Sequence, residues 1–155
     1  MSVQLGMDCV LYRNSGNYSS PVWNECANVR DNTLNMETAK ADVTTRGNNG
    51  WRANAPTLKE GSIEFEALWD LTDANFAAMF TAFLNNTPLD MLVLDQAIAS
   101  GSAQGLRAVM MVTKCSRKEP LEDATKADVM IEPTYASNPP RWVSAAANGT
   151  LTVVA

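Results

Sequence analysis

Apolar and polar residues alternate with a period of two through most of this chain, a pattern that restricts it to strands with one buried face. In Leu5–Arg13, Leu5, Met7, Cys9 and Leu11 fall on one side and Gly6, Asp8, Val10 and Tyr12 on the other, which predicts a strand. Asn14, Ser15, Gly16 and Asn17 then read as a turn. The stretch 27–45 alternates again, with Leu34, Met36 and Thr38 opposite Asn35, Glu37 and Ala39, so it holds two strands or one long bent one. Ser62–Trp69 sets Ile63, Phe65, Ala67 and Trp69 against Glu64 and Glu66. Asp90–Asp95, Gly105–Ser116 and Ala127–Tyr135 complete the strands, the last two joined by an exposed connection around Pro120.

One segment departs from this period. Over 71–84, Phe76, Met79, Phe80, Phe83 and Leu84 recur at helical spacing, predicting a single amphipathic helix. Asp70 or Thr72 is placed to cap it, Asp73 suits its positive end, and Asn85, Asn86 and Pro88 stop it. Its reverse face, Asn75, Ala77, Ala78, Thr81 and Ala82, carries no charge, so it is expected either to pack on another subunit or to be an Ala-rich face left exposed or covered by the chain's own loops. The fold class is therefore mainly β: a β-sandwich or partly closed barrel of roughly seven to eight strands with one flanking helix. One domain is expected over 1–142, with 143–155 an arm or an extra strand.

Between the strands lies Arg46–Pro56 (RGNNGWRANAP), rich in Asn and Gly and short of core residues. It is the most conspicuous loop. The four tryptophans divide in the same spirit: Trp69 alternates with core residues, whereas Trp23, Trp51 and Trp142 are expected in loops, where tryptophan commonly anchors a protein partner.

Little in the composition serves catalysis. Histidine is absent, which removes the usual general base, the usual nitrogen ligand for zinc and any Ser-His or Cys-His nucleophile. Cys9, Cys26 and Cys115 are far apart in apolar or β-like segments and read as reduced packing thiols. Glu64 and Glu66 lie about 7 Å apart on one strand face, near the separation of an inverting carboxylate pair, yet neighbouring carboxylates on a solvated strand are common and a wet face is the expected reading. No phosphate loop, dinucleotide fingerprint or metal-ligand spacing is present, so no enzyme activity, cofactor or metal is expected. The net charge of −5 disfavours tight binding to a phosphate backbone. Neither a leader in MSVQLGMDCVLYR nor a membrane-spanning run is visible, and a cytosol-like site of synthesis is expected.

In order and spacing, the strings LGMDCVLYR, NVRDNTLNMETAKADVTTRGNNGWRA, TLKEGSIEFEALWD and SRKEPLEDATKADVMIEPTYA resemble the major tail tube proteins of long-tailed bacteriophages and related gene-transfer particles. The resemblance spans about Leu5–Trp142. It implies six copies in a ring, and rings stacked into a hollow tube that conducts DNA without binding it specifically. Tape-measure, tail-terminator and baseplate or tip proteins would be its partners, and the virion tail, assembled in the host cytoplasm, its location. Arg46, Asn48, Asn49, Trp51 and Arg52 would make contacts between subunits or rings, together with Ala78, Ala82 and Trp142. Glu64 and Glu66 are candidates for an acidic lumen, with the outer wall the alternative. A tube component of a contractile injection system shares the architecture, and a carbohydrate-binding sandwich using the tryptophans is the reading from a different class.

Overall fold

A computed structural model describes residues 3–154; Met1, Ser2 and Ala155, at the ends of the two predicted terminal segments, lie outside the described residues. Among the described residues, nine strands and one α-helix follow one another along the chain. They are β1 (Val10–Asn14), β2 (Trp23–Glu25), β3 (Val29–Asp42), β4 (Asn54–Leu68), α1 (Ala74–Asn85), β5 (Leu89–Leu94), β6 (Ala103–Lys118), β7 (Lys126–Pro133), β8 (Arg141–Ala145) and β9 (Leu151–Val153).

All strands belong to one antiparallel sheet of order β2-β1-β5-β6-β7-β4-β3, with β8 on β6 and β9 on β8. The long β6 organises it. Along one edge it pairs with β5; along the other it pairs first with β8 through Ala103–Arg107, then with β7 through Met110–Lys118. A register shift between Val112 and Lys114 marks a bulge in β6 just after it passes from β8 to β7. Both halves then face the same interior: Leu11, Met91 and Val93 from one side join Ile63, Phe65, Val129 and Ile131 from the other in a single cluster. The sheet curls around this core without closing, because β2 and β3 end it on opposite sides.

The period-two reading of β4 is realised closely: Ile63, Phe65 and Ala67 are buried and Glu64 is exposed. Within 27–45, Val29–Asp42 forms one long strand, the second of the two alternatives, irregular between Arg30 and Thr33, where Asp31 takes the left-handed region at φ 49°. At Gly105 the backbone of β5 comes so close that a Cβ would run into the Val93 carbonyl.

The helix starts later than its sequence span, at Ala74, and Asp73 rather than Asp70 or Thr72 caps it, accepting from Phe76 N at 3.2 Å. Asp70 instead accepts from the N–H and hydroxyl of Thr72, forming a turn before the cap. Asn86, left-handed at φ 55°, ends the helix, and Thr87 N donates to Ala82 O. Phe76 and Met79 enter the core, and Trp69 meets Phe76 and Phe80 edge-on at 5.2 and 5.3 Å. Leu84, assigned to the same stripe, is exposed.

One segment departs from expectation because alternation fixes which way side chains point but not what covers them. Leu5–Cys9 is not strand; Gly6–Asp8 make a 3-10 turn, with Leu5 and Met7 exposed. At the other end, β8 and β9 pair as a hairpin, the extra-strand alternative for 143–155 rather than a detached arm. Val143 and Ala145 lie in a second apolar cluster with Tyr12, Leu92, Leu94 and Ala103, on the outer face of β1, β5 and β6. Below it sits the most enclosed charge pair, in which Asp90 accepts from Arg107 Nη2 at 2.7 Å and Nε at 3.3 Å, and from Asn14 Nδ2 at 2.9 Å. Arg107 also donates to Tyr18 O at 2.9 Å and stacks 3.7 Å from the Tyr18 ring centre, so the pair ties the 15–22 loop to the sheet.

Candidate assembly interface

The β3–β4 hairpin outruns the body that supports it. β4 pairs with β7 only from Ile63 onward, so Asn54–Gly61 is bonded to β3 alone. This leaves a free two-stranded ribbon roughly 20–25 Å long at the strand rise of ~3.3 Å per residue. A ribbon of this kind is marginal in water by itself. It nevertheless exposes Met36, Val43, Trp51 and Leu58 at 56%, 49%, 79% and 77%. The outer edge of β3 is also unpaired among the described strands.

The ribbon tip is an ordered loop. Asn49 and Gly50 both take positive φ, 52° and 82°, and Trp51 N donates to Asn48 O at 3.0 Å, the tight turn that an Asn-Gly pair favours. Thr44 Oγ1 accepts from Ala53 N at 2.9 Å, and Val43 N donates to Ala53 O at 2.9 Å. Asp42 accepts from Thr44 N at 2.9 Å, and its hydrogen bonds to Thr44 hold its carboxyl below the usual range. These bonds present Trp51 outward, with Arg46 and Arg52 exposed beside it. The structure therefore brings Arg46, Asn48, Asn49, Trp51 and Arg52 together at one end of the ribbon. Asn48 is only half exposed, and its side-chain nitrogen is buried without a partner among the described residues.

At the ribbon's other end, its inward face continues the core face past the point where the core stops. Leu34 is partly buried against the core, whereas Met36 is open. Met36 and Gly61 here face Leu106, Pro133, Pro140 and Trp142 across an apolar groove of about 490 Å³. Trp142 lies in β8, not in a loop, and its Nε1 donates to Gln104 Oε1 at 3.2 Å. No signal in the sequence marked Pro133 and Pro140 as partners of Met36.

The helix residues separate. Ala78 is half exposed, but Ala82 is 3% exposed and Asn75 is 8% exposed, both inside the chain. Asn75 donates to Glu25 O and accepts from Arg13 Nε, which accounts for an uncharged residue there. The expectation that Ala82 reaches a neighbour is thus corrected: it faces the interior of its own subunit. The tryptophans are dispersed as well, Trp23 lying in β2 rather than a loop, 5.0 Å from the Arg107 guanidinium, and Trp69 against the helix. They form no shared platform for a sugar.

On the outer face of β3, β4, β7 and β6, carboxylates predominate. Glu64 is exposed and Glu66 half buried between Lys126 at 3.7 Å and Arg30 at 3.9 Å. Asp128 pairs with Lys118 at 2.7 Å and, through that hydrogen bond, raises the lysine's pKa. Lys126 is raised likewise, first by its hydrogen bond to Asp123. Towards the ribbon, Glu37 and Glu60 stand directly opposite each other, and neither they nor Glu64 and Glu132 make an ion pair among the described residues. The face is therefore charge-balanced near the β6–β7 connection and acidic towards the ribbon.

No group of His, Cys, Asp or Glu among the described residues is arranged to hold a metal, and no described helix is long and apolar enough to cross a membrane. Cys26 is buried, which pushes its thiol up to about 12, while Cys9 is exposed.

Residues 3–134 match the sequence family described as phage tail tube protein. The chain belongs to that family. No curated protein matches it by sequence. Among solved structures, this tail tube protein is similar to a chain in the tail of an empty gene transfer agent particle treated with C6 symmetry. That likeness has a TM-score of 0.69 and 15% identity, over 99% of this chain and 100% of that one. It is also similar to the SPP1 tail tube, with TM-score 0.64, 12% identity and coverage of 83% and 74%. A chain of the six-fold symmetrised anti-feeding prophage baseplate matches with TM-score 0.60 and 6% identity, over 92% and 96%. At these identities the likeness is one of fold. With the family match, it establishes the open, mainly β tail-tube fold and a structural role in a tail tube.

Proposed function

We propose that this tail tube protein forms rings of six copies that stack into a hollow tube for DNA passage. The observation that carries this reading is the β3–β4 ribbon, which holds exposed apolar residues and a preordered Trp-Arg tip away from its own body. Such a surface gains stability only when another subunit covers it. A contact between unlike surfaces closes a ring if its rotation closes and otherwise builds an open stack; a tube uses both. The C6 symmetry applied to the similar gene-transfer tail supports six as the ring number.

Glu37, Glu60, Glu64 and Glu66 on the outer sheet face are the candidate lumen residues. A carboxylate lining supplies no counterion-releasing contacts to DNA, so the polymer slides without being held. Tape-measure, terminator and baseplate proteins are the proposed partners, and a virion tail assembled in the host cytoplasm the proposed location. The protein acts through assembly, with no catalytic step. Deleting Asn48–Arg52 tests the proposal: soluble, folded protein that makes no tubes is expected, and tubes of ordinary length from the deletion would refute it.

A further inference from the structure

We propose that Leu5–Cys9 is a latch on the open seam of the sheet, able to extend β1 backwards along the free edge of β3 and to turn Met7 and Cys9 onto the core. The latch is a property of the single subunit and does not depend on the tube reading. Three features of the seam lead to it.

The first is space. Beyond the end of β2, Met7, Cys9 and Leu11 on one side face Val29 and Asn32 on the other across a cavity of about 680 Å³. Leu11 and Cys26, both buried, form part of its wall, so the cavity reaches the main core. Among the described strands none lies on this edge of β3, and Asn32 Oδ1 is buried there without a hydrogen-bond partner among the described residues. A strand laid along the edge brings backbone N–H groups to it.

The second is phase. Leu5, Met7 and Cys9 continue the spacing of Leu11, whose side chain is in the core. In the observed turn Leu5 and Met7 are exposed, although an extended backbone directs both inward. Leu11 O accepts from Cys26 N at 2.9 Å, so the ladder between β1 and the chain leading into β3 already reaches the place where the segment departs.

The third is how little holds the segment away. The turn contributes Asp8 N to Leu5 O at 3.0 Å and Cys9 N to Gly6 O at 3.2 Å. Beside it, Gln4 Nε2 donates to Asp95 O at 2.8 Å and Gln4 Oε1 accepts from Gln96 Nε2 at 3.2 Å, both in exposed positions. Exposed bonds of this kind exchange with water at small cost, whereas closing removes two large apolar side chains from water. The Gln4 clasp therefore sets the balance between the two forms. Closed, the segment lies against the Arg30–Thr33 irregularity, just before the ribbon leaves the body, and holds the ribbon's base.

Alkylation of Cys9 in the full chain, followed by mass spectrometry of its peptide, tests the latch. Cys9 is exposed in the observed turn and faces the core once the segment extends. Gln4→Ala removes the clasp and should slow the alkylation by about threefold or more, as the closed form becomes the major one. Simple fraying of the segment predicts the opposite, so an unchanged or faster rate would overturn the inference. Adding Leu5→Ser and Met7→Gln to Gln4→Ala should return the rate to within about twofold of the native one, because neither side chain then gains by entering the cavity. A triple variant that stays slow would also overturn it, since the protection would not come from Leu5 and Met7.

Discussion

Replacing Asp90 by Ala perturbs the fold at its most enclosed charge. Arg107 is 7% exposed, and Asp90 accepts two of its hydrogen bonds, at 2.7 and 3.3 Å. Without the carboxylate, the guanidinium keeps only Tyr18 O and the Tyr18 ring, and Asn14 Nδ2 loses one of its two acceptors. Breaking a buried pair from one side costs about 3–5 kcal/mol, because an uncompensated charge stays inside. Removing both charges, with Asp90→Ala and Arg107→Met together, should cost less than the sum of the single changes by at least about 2 kcal/mol. Urea unfolding at concentrations below assembly measures this directly. With a slope of about 2 kcal/mol per molar, the Asp90→Ala midpoint should fall by roughly 2 M. A loss below about 1 kcal/mol for Asp90→Ala, or strict additivity in the cycle, would refute the assignment of this pair as the clamp on the 15–22 loop.

Asp73→Ala removes the helix cap and should lower stability by about 1 kcal/mol, whereas Thr72→Ala should cost clearly less; equal effects in urea unfolding would contradict the cap assignment. Cys26 keeps its proton up to about 12 in the folded chain, well above an ordinary thiol. The folded state therefore binds more protons than the unfolded one between about pH 9 and 12, and stability falls as pH rises through that window, by up to roughly 4 kcal/mol from this group. Cys26→Ala should flatten that decline, and an unchanged slope would contradict it. Ala78→Lys is expected to leave monomer stability within about 0.5 kcal/mol and to block assembly; normal assembly by that variant removes the helix from the contact set.

Much of the architecture was legible because burial and pleat share a period. Ile63, Phe65 and Ala67 on β4, Phe76 and Met79 on α1, and the Asn-Gly tip of the β3–β4 hairpin all follow local rules. Leu5–Cys9 misled because its alternation faces solvent on both sides. The same ambiguity hid the ribbon: Met36 keeps the apolar phase of Leu34, and nothing in that phase tells where the covering layer ends. Asp90 and Arg107 escaped notice because they are seventeen positions apart in different strands, and only the β5–β6 register makes them diagonal neighbours. Asn75 looked like part of an uncharged outer face because a helical wheel cannot distinguish a side turned to a neighbour from one turned to β1 and β2.

Cryo-electron microscopy of the purified chain at increasing concentration addresses the central claim most directly. Stacked six-membered rings around an open channel are predicted, with the β3–β4 ribbon reaching between copies and Glu64 and Glu66 facing the channel. A protein that stays monomeric at every concentration, or whose assemblies leave Trp51 exposed, would contradict it.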